Sequence, residues 1–287
     1  MLKHRLISGT LMTIFFLALV IADGWLDGSI SIQKTDDKPI QATALALLIL
    51  LLVIPANQEF AKLAQLKNLK IFMPLTVLLS FLFATNSYWL QIIKIDQHLC
   101  ILFLAAAALM AIMFTQYLFC GTKNVIANCG ANYFSVIYLG ILTAFCLAIR
   151  IHLGLWPFIM FVCTIKSADI GAYTAGTIFG KHKFSPKLSP GKTWEGMAGA
   201  IIAAIIVAVL FAKISGIISW QWAVLFGQAF AFIGQFGDLA ESMLKRDAEQ
   251  KDSAKKIPGF GGLLDVIDSP LFAAPFAYLF FLCALAK

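Results

Sequence analysis

Nine apolar runs, each close to the ~20 residues that a helix needs to cross a bilayer, alternate with short polar stretches along the chain. They cover approximately 5–22, 40–56, 69–85, 99–119, 133–149, 153–178, 196–214, 220–237 and 266–286. The pattern predicts an all-α, polytopic integral membrane protein of about nine transmembrane helices, the second and third short enough to lie partly in the interface. The first run begins behind Lys3 and Arg5, as a signal peptide does. It ends at IADGWLDG with no small-residue cleavage site, so it is read as a retained span.

Composition supports the same class: 60% of residues are hydrophobic, 13% are charged, and mean hydropathy is +0.86. An ordinary soluble domain is excluded. With nine spans, one side of the membrane holds 15 of the 22 Lys and Arg residues, the other side 6, and Lys166 lies within a span. The positive-inside rule makes the richer side cytosolic, so the long basic loops face the cytosol; the expected location is a bacterial inner membrane. The net charge of +7 gathers in loops flanking the membrane, where it suits anionic headgroups, so nucleic acid is not an expected partner. The six Cys (100, 120, 129, 146, 163, 283) form no close CxxC pair and read as free thiols.

Polar chemistry is concentrated beyond residue 150. This suggests an N-terminal region, 1–150, that packs and anchors, and a C-terminal region, 151–287, that holds the site. Lys166, Asp169 and Tyr173 stand at i, i+3 and i+7 on one helix face. That face is either a self-neutralising ion pair or the lining of a polar cavity open to the cytosol, and Gly171, Gly176 and Gly180 allow close helix contact there. The loop that follows carries Lys181, His182, Lys183, Lys187 and Lys192, with Pro186 and Pro190 keeping it from being helical throughout. A row of ammonium groups suits a polyphosphate, although an unliganded positive-inside loop looks the same. Gly191-Lys192-Thr193 is not a P-loop: the required glycine is Pro186, and no strand is expected before it. Thr193 and Glu195 are expected at the start of the next helix.

The segment Gly237 to Ser269 puts four acidic residues that could bind metal or order a site (Asp238, Glu241, Asp265, Asp268), and five cations, between two apolar runs. Asp238, Glu241, Ser242 and Lys245 make one helical stripe. In IPGFGGLLDVIDSP, Pro258, Gly259, Gly261 and Gly262 let the backbone turn sharply, and Asp265 and Asp268 then share one face of the last span's first turn. Three carboxylates (Asp238, Asp265, Asp268) at one membrane depth repel unless a cation joins them. Mg²⁺ accepts a few carboxylates with water and phosphate oxygens.

These residues carry a resemblance. Ser242, Leu244, Lys245, Arg246, Lys251, Asp252, Ala254, Ile257, Pro258, Gly261, Gly262, Leu263, Asp265 and Asp268 match, at the right spacing, the signature of the phosphatidate cytidylyltransferases. The block Asp169, Ala172-Tyr173, Phe179 to Lys183 and Ser189 to Gly196 is similar to the same family, so the likeness covers about residues 150–287. Two positions depart from it: the usual His is Phe260 and the usual Arg is Val266, for which Lys255 or Lys256 could substitute. The resemblance implies transfer of CMP from CTP to phosphatidic acid, giving CDP-diacylglycerol and pyrophosphate for phospholipid synthesis. It implies Mg²⁺, alone or with a second, monovalent cation, and a homodimer in contact with membrane lipids. Asp238, Asp265 and Asp268 are then expected at the metal. Lys245, Arg246 and Lys251 would neutralise phosphates with Asp252 orienting them, and Ser189, Lys192, Thr193 and Ser242 would bind substrate. The alternatives are a CTP-dependent transferase or kinase acting on another lipid, or a catalytically silent relative. A transporter is disfavoured because the polar residues gather at one edge.

Overall fold

The computed structural model describes residues 2–31, 37–254 and 261–285. Phe260, Lys255 and Lys256 lie outside the described residues. Eleven α-helices form among the described residues, with two short strands between the eighth and ninth. They are α1 (Leu2–Asp27), α2 (Thr43–Leu66), α3 (Met73–Ala84), α4 (Asn86–Leu90), α5 (Gln97–Cys120), α6 (Val125–Val136), α7 (Leu142–Ala148), α8 (Leu155–Phe179), α9 (Trp194–Ser215), α10 (Trp220–Asp247) and α11 (Leu264–Leu285). The strands are β1 (Lys183–Ser185) and β2 (Ser189–Thr193), an antiparallel hairpin. A π-helical turn at Ile137–Ile141 joins α6 to α7, and a second at Ile149–Leu153 extends α7, giving one rod, Val125–Leu153.

The protein is an all-α membrane protein. Seven helices among the described residues are long and apolar enough to cross a bilayer: α2, α5, the α6–α7 rod, α8, α9, α10 and α11. The expected count of nine is not reproduced by that criterion. The third predicted run forms only the 12-residue α3, about 18 Å long at ~1.5 Å per residue, short of the ~30 Å hydrocarbon core. Its start is delayed because Asn128 and Asn132 hold the preceding backbone. Asn128 Oδ1 accepts from Lys70 N at 3.0 Å, and Asn132 Oδ1 from Phe72 N at 2.7 Å.

Residues 57–68, read as a loop, are mostly helix, because α2 runs on to Leu66. The polar residues that ended the apolar run are buried with partners. Asn57 accepts from Ser135 Oγ at 3.0 Å, and Glu59 is fully buried.

The two ends of α2 mark the two ends of the molecule. At its start, the buried Arg150 reaches Asp27 at 2.7 Å and Asp23 at 3.2 Å, and these carboxylates accept from Ala42 N and Ala44 N. At its finish, Lys67 pairs with Asp247 at 3.2 Å. That pair lies ~36 Å along α2 from the Arg150 cluster. Helices α8 to α11 form the tightest bundle. A Cβ on Gly171 of α8 would lie 2.5 Å from Gly199 O of α9, so this crossing needs glycine.

Candidate active site

The site is built where α10 and α11 meet at the Lys67–Asp247 end of the bundle. Gly237 lets the two backbones touch: a Cβ there would lie 3.1 Å from Ser269 Cα and 3.2 Å from Asp268 O. That approach sets Asp238 of α10 beside Asp268 of α11. Ser269 Oγ lies 2.6 Å from Asp238 Oδ1 and 3.4 Å from Asp268 Oδ1.

The hairpin delivers Lys192 to the same place. Its ammonium donates to Asp238 Oδ2 at 2.9 Å and to Gln235 O at 3.1 Å. Thr193 ends β2 and caps α9, its Oγ1 accepting from Gly196 N at 3.1 Å. Gly191-Lys192-Thr193 therefore lies inside a strand. The expectation that no strand stands here fails, while the exclusion of a P-loop holds on Pro186 and on this placement. Glu195 clasps the hairpin base by accepting from Lys181 N and His182 N and lying 2.6 Å from His182 Nδ1. The imidazole itself is exposed. Arg246 Nε donates to Leu188 O at 3.2 Å and docks the hairpin tip on α10. Ser189 is half-buried in β2, opposite Ser185. Ser242 is half-buried on α10.

Asp265 belongs to a neighbouring cluster. Lys245 bridges it to Glu241. Asp265 Oδ2 also accepts from Gly262 N at 2.7 Å, Ser253 Oγ at 2.8 Å and Ser253 N at 3.1 Å. Thus Asp238 and Asp268 share Ser269, while Asp265 pairs with Lys245. Among the described residues, no group of three or more His, Cys, Asp or Glu is gathered in metal-holding geometry.

The pair nonetheless fits a magnesium ion in chemical type. Asp268 is 4% exposed and has no cation within 4.0 Å among the described residues. Two carboxylates completed by water and phosphate oxygens are a donor set Mg²⁺ accepts.

Lys166 and Asp169 pair at 3.2 Å, as the i, i+3 spacing allows. Lys166 also donates to Val266 O at 2.9 Å, which places a cation beside the position where the resemblance expects Arg. Lys251 and Asp252 are exposed and line a cavity of about 720 Å³ with Lys62, Gln65, Gln250 and Ser253. An apolar groove of about 520 Å³ runs between α10 and α11, lined by Leu188, Ile233, Phe236, Met243, Phe272 and Phe276.

Two residues of the first half reach this region unannounced. Glu59 of α2 accepts from Ser253 Oγ and Leu264 N. Tyr138, on the first π turn, is buried against Leu264 and Leu271, its hydroxyl without a partner among the described residues. Glu59 could have been suspected as a charge closing an apolar run; Tyr138 leaves no signal in the sequence.

The cytidylyltransferase family model matches residues 3–284. The chain belongs to the cytidylyltransferase family. Among its relatives, the phosphatidate cytidylyltransferase of Bacillus subtilis is 34% identical over 290 residues, covering 99% of this chain and 98% of that protein. That of Haemophilus influenzae is 42% identical over 134 residues, 45% of this chain and 46% of the relative. That of Mycobacterium bovis is 40% identical over 125 residues, 43% of this chain and 40% of the relative. The matches to the latter two span less than half of those proteins, while membership of the cytidylyltransferase family extends over nearly the whole chain.

Proposed function

We propose that this cytidylyltransferase transfers CMP from CTP to phosphatidic acid, releasing pyrophosphate and forming CDP-diacylglycerol. A lipid phosphate oxygen attacks the α-phosphorus in line, a new P–O bond forms, and the bond to the β-phosphate breaks. The nucleophile is already an anion, so no strong general base is needed; positioning and charge neutralisation suffice. The observation that carries the reading is the alternation of Lys192, Asp238, Asp268, Lys166 and Asp169 at one end of the bundle, beside an apolar groove. Such a site meets a phosphate headgroup at the membrane edge and leaves the groove to acyl chains.

Within this reading, Ser189, Lys192, Thr193 and Ser242 bind CTP, with Thr193 acting by fixing the start of α9. Arg246 and Lys251 meet phosphates, with Asp252 orienting Lys251. Lys245 keeps Asp265 in place, and Lys166 supplies the cation at Val266. Asp238 and Asp268 would hold Mg²⁺, with or without a monovalent companion, and Asp265 would border it. When bound, the ion neutralises charge on the phosphates. The active site faces the cytosol from the inner membrane, and the enzyme is a homodimer. The C-terminal region, 151–287, carries most of the chemistry.

The test supplies CTP and Mg²⁺ with either phosphatidic acid or an isoprenoid alcohol, using Asp265→Asn as control. Cytidylyl lipid formed only from phosphatidic acid, and lost in the variant, is expected. Preference for the alcohol, or full activity of Asp265→Asn, would sink the assignment.

A further inference from the structure

The first half of the chain does more than anchor. Glu59 lies on α2, 194 residues before Ser253 and 205 before Leu264. Its Oε2 accepts from Leu264 N at 3.0 Å and lies 3.1 Å from Ser253 Oγ, whose single hydrogen it shares with Asp265. The same Ser253 hydroxyl stands 2.8 Å from Asp265 Oδ2. Leu264 is the first residue of α11, so its amide is one of the donors that a helix start leaves without an intrahelical acceptor. Glu59 therefore ties Ser253 to Leu264 and fixes where α11 begins. The packing is close: a Cβ on Gly262 would lie 2.9 Å from Glu59 Cδ.

A fully buried carboxylate is costly unless strongly hydrogen-bonded. General packing would be served as well by an apolar side chain. What an acceptor does here is take two donors that flank Asp265.

We infer that Glu59 is a positioning residue for cytidylyl transfer, setting Asp265 and the first turn of α11 through Ser253 and the Leu264 amide. The inference rests on the function proposed above. The active site is then assembled from both halves of the chain, and the N-terminal region sets the start of α11.

The test uses the full-length protein in detergent with Glu59→Ala, Glu59→Gln, Ser253→Ala and the double variant Glu59→Ala/Ser253→Ala. A displacement of about 1 Å at a reacting centre costs on the order of 100-fold. Glu59→Ala should therefore lose about that much kcat, with the KM for CTP moving less than about 3-fold. Glutamine keeps one oxygen able to accept both donors, so Glu59→Gln should recover at least about 10-fold of the loss. Because Glu59 works through Ser253, the double variant should lose far less than the product of the two single losses. Multiplicative losses, or a fall in kcat matched by the fall in folded protein on size exclusion, would overturn the inference.

Hydrogen exchange at the Leu264 amide tests the contact without any turnover. It should rise at least about 10-fold in Glu59→Ala, as expected when a protecting acceptor is removed. Unchanged exchange overturns the clamp even in an active enzyme. An inactive wild type with faster exchange in the variant would fault the proposed reaction and spare the contact.

Discussion

Replacing Lys245 by methionine removes the only cation that faces Glu241 and Asp265 within 4.0 Å among the described residues. The side chains involved are 11%, 2% and 9% exposed. Breaking a buried ion pair from one side costs about 3–5 kcal/mol, because the partner is left charged and desolvated. The two carboxylates do not suffer equally. Asp265 keeps the amides of Gly262 and Ser253 and a share of the Ser253 hydroxyl, whereas Glu241 loses its only ion-pair partner among the described residues. Most of the loss should therefore trace to Glu241. Adding Glu241→Gln to Lys245→Met should return about 2 kcal/mol or more, since a neutral amide costs far less to bury than a charge. CMP transfer should stay low in both, because Asp265 has lost its ammonium partner in each. Chemical unfolding in detergent, paired with initial rates of cytidylyl transfer, separates the two effects. A stability loss under about 1 kcal/mol in Lys245→Met would refute the buried-pair argument. Activity returning together with stability in the double variant would refute the functional one.

Asp238→Asn should lower the rate by at least about 100-fold and abolish any thermal shift on adding Mg²⁺, since the proposed metal ligand and its ion pair with Lys192 are lost together; initial rates and melting scans check both. Arg150→Met strands Asp23 and Asp27 and should cost about 3–5 kcal/mol in denaturant unfolding. The surviving folded protein should keep its kcat, because that cluster lies at the far end of α2. Gly171→Leu drives a side chain into the Gly199 carbonyl and should reduce the yield of folded protein on size exclusion, with Gly171→Ala less harmful, as overpacking costs grow with volume.

The all-helical membrane class was legible because long apolar runs have few other uses. The ion pair of Lys166 with Asp169, the start of α9 at Thr193 and the non-helical run around Pro186 and Pro190 were legible too, since each rests on local chemistry. The end of α2 was not. Hydropathy treats Asn57 and Glu59 as the edge of a span, but both are buried, with partners 78 or more residues away. The partners of Asp265 were not legible for a related reason. Spacing puts Asp265 and Asp268 on one face, but it does not reveal that Lys245, Gly262 N and Ser253 hold Asp265 while Ser269 links Asp268 to Asp238. Tyr138 arrives by a π turn, and nothing in its neighbours along the chain marks it.

The most direct test of the account is the fate of two phosphorus labels. Purified protein is given phosphatidic acid, Mg²⁺ and CTP labelled either at the α- or at the γ-phosphate. Cytidylyl transfer predicts that the α label enters the lipid phase while the γ label leaves as pyrophosphate. A γ label in lipid with the α label left in water would make the protein a CTP-dependent lipid kinase and contradict the account.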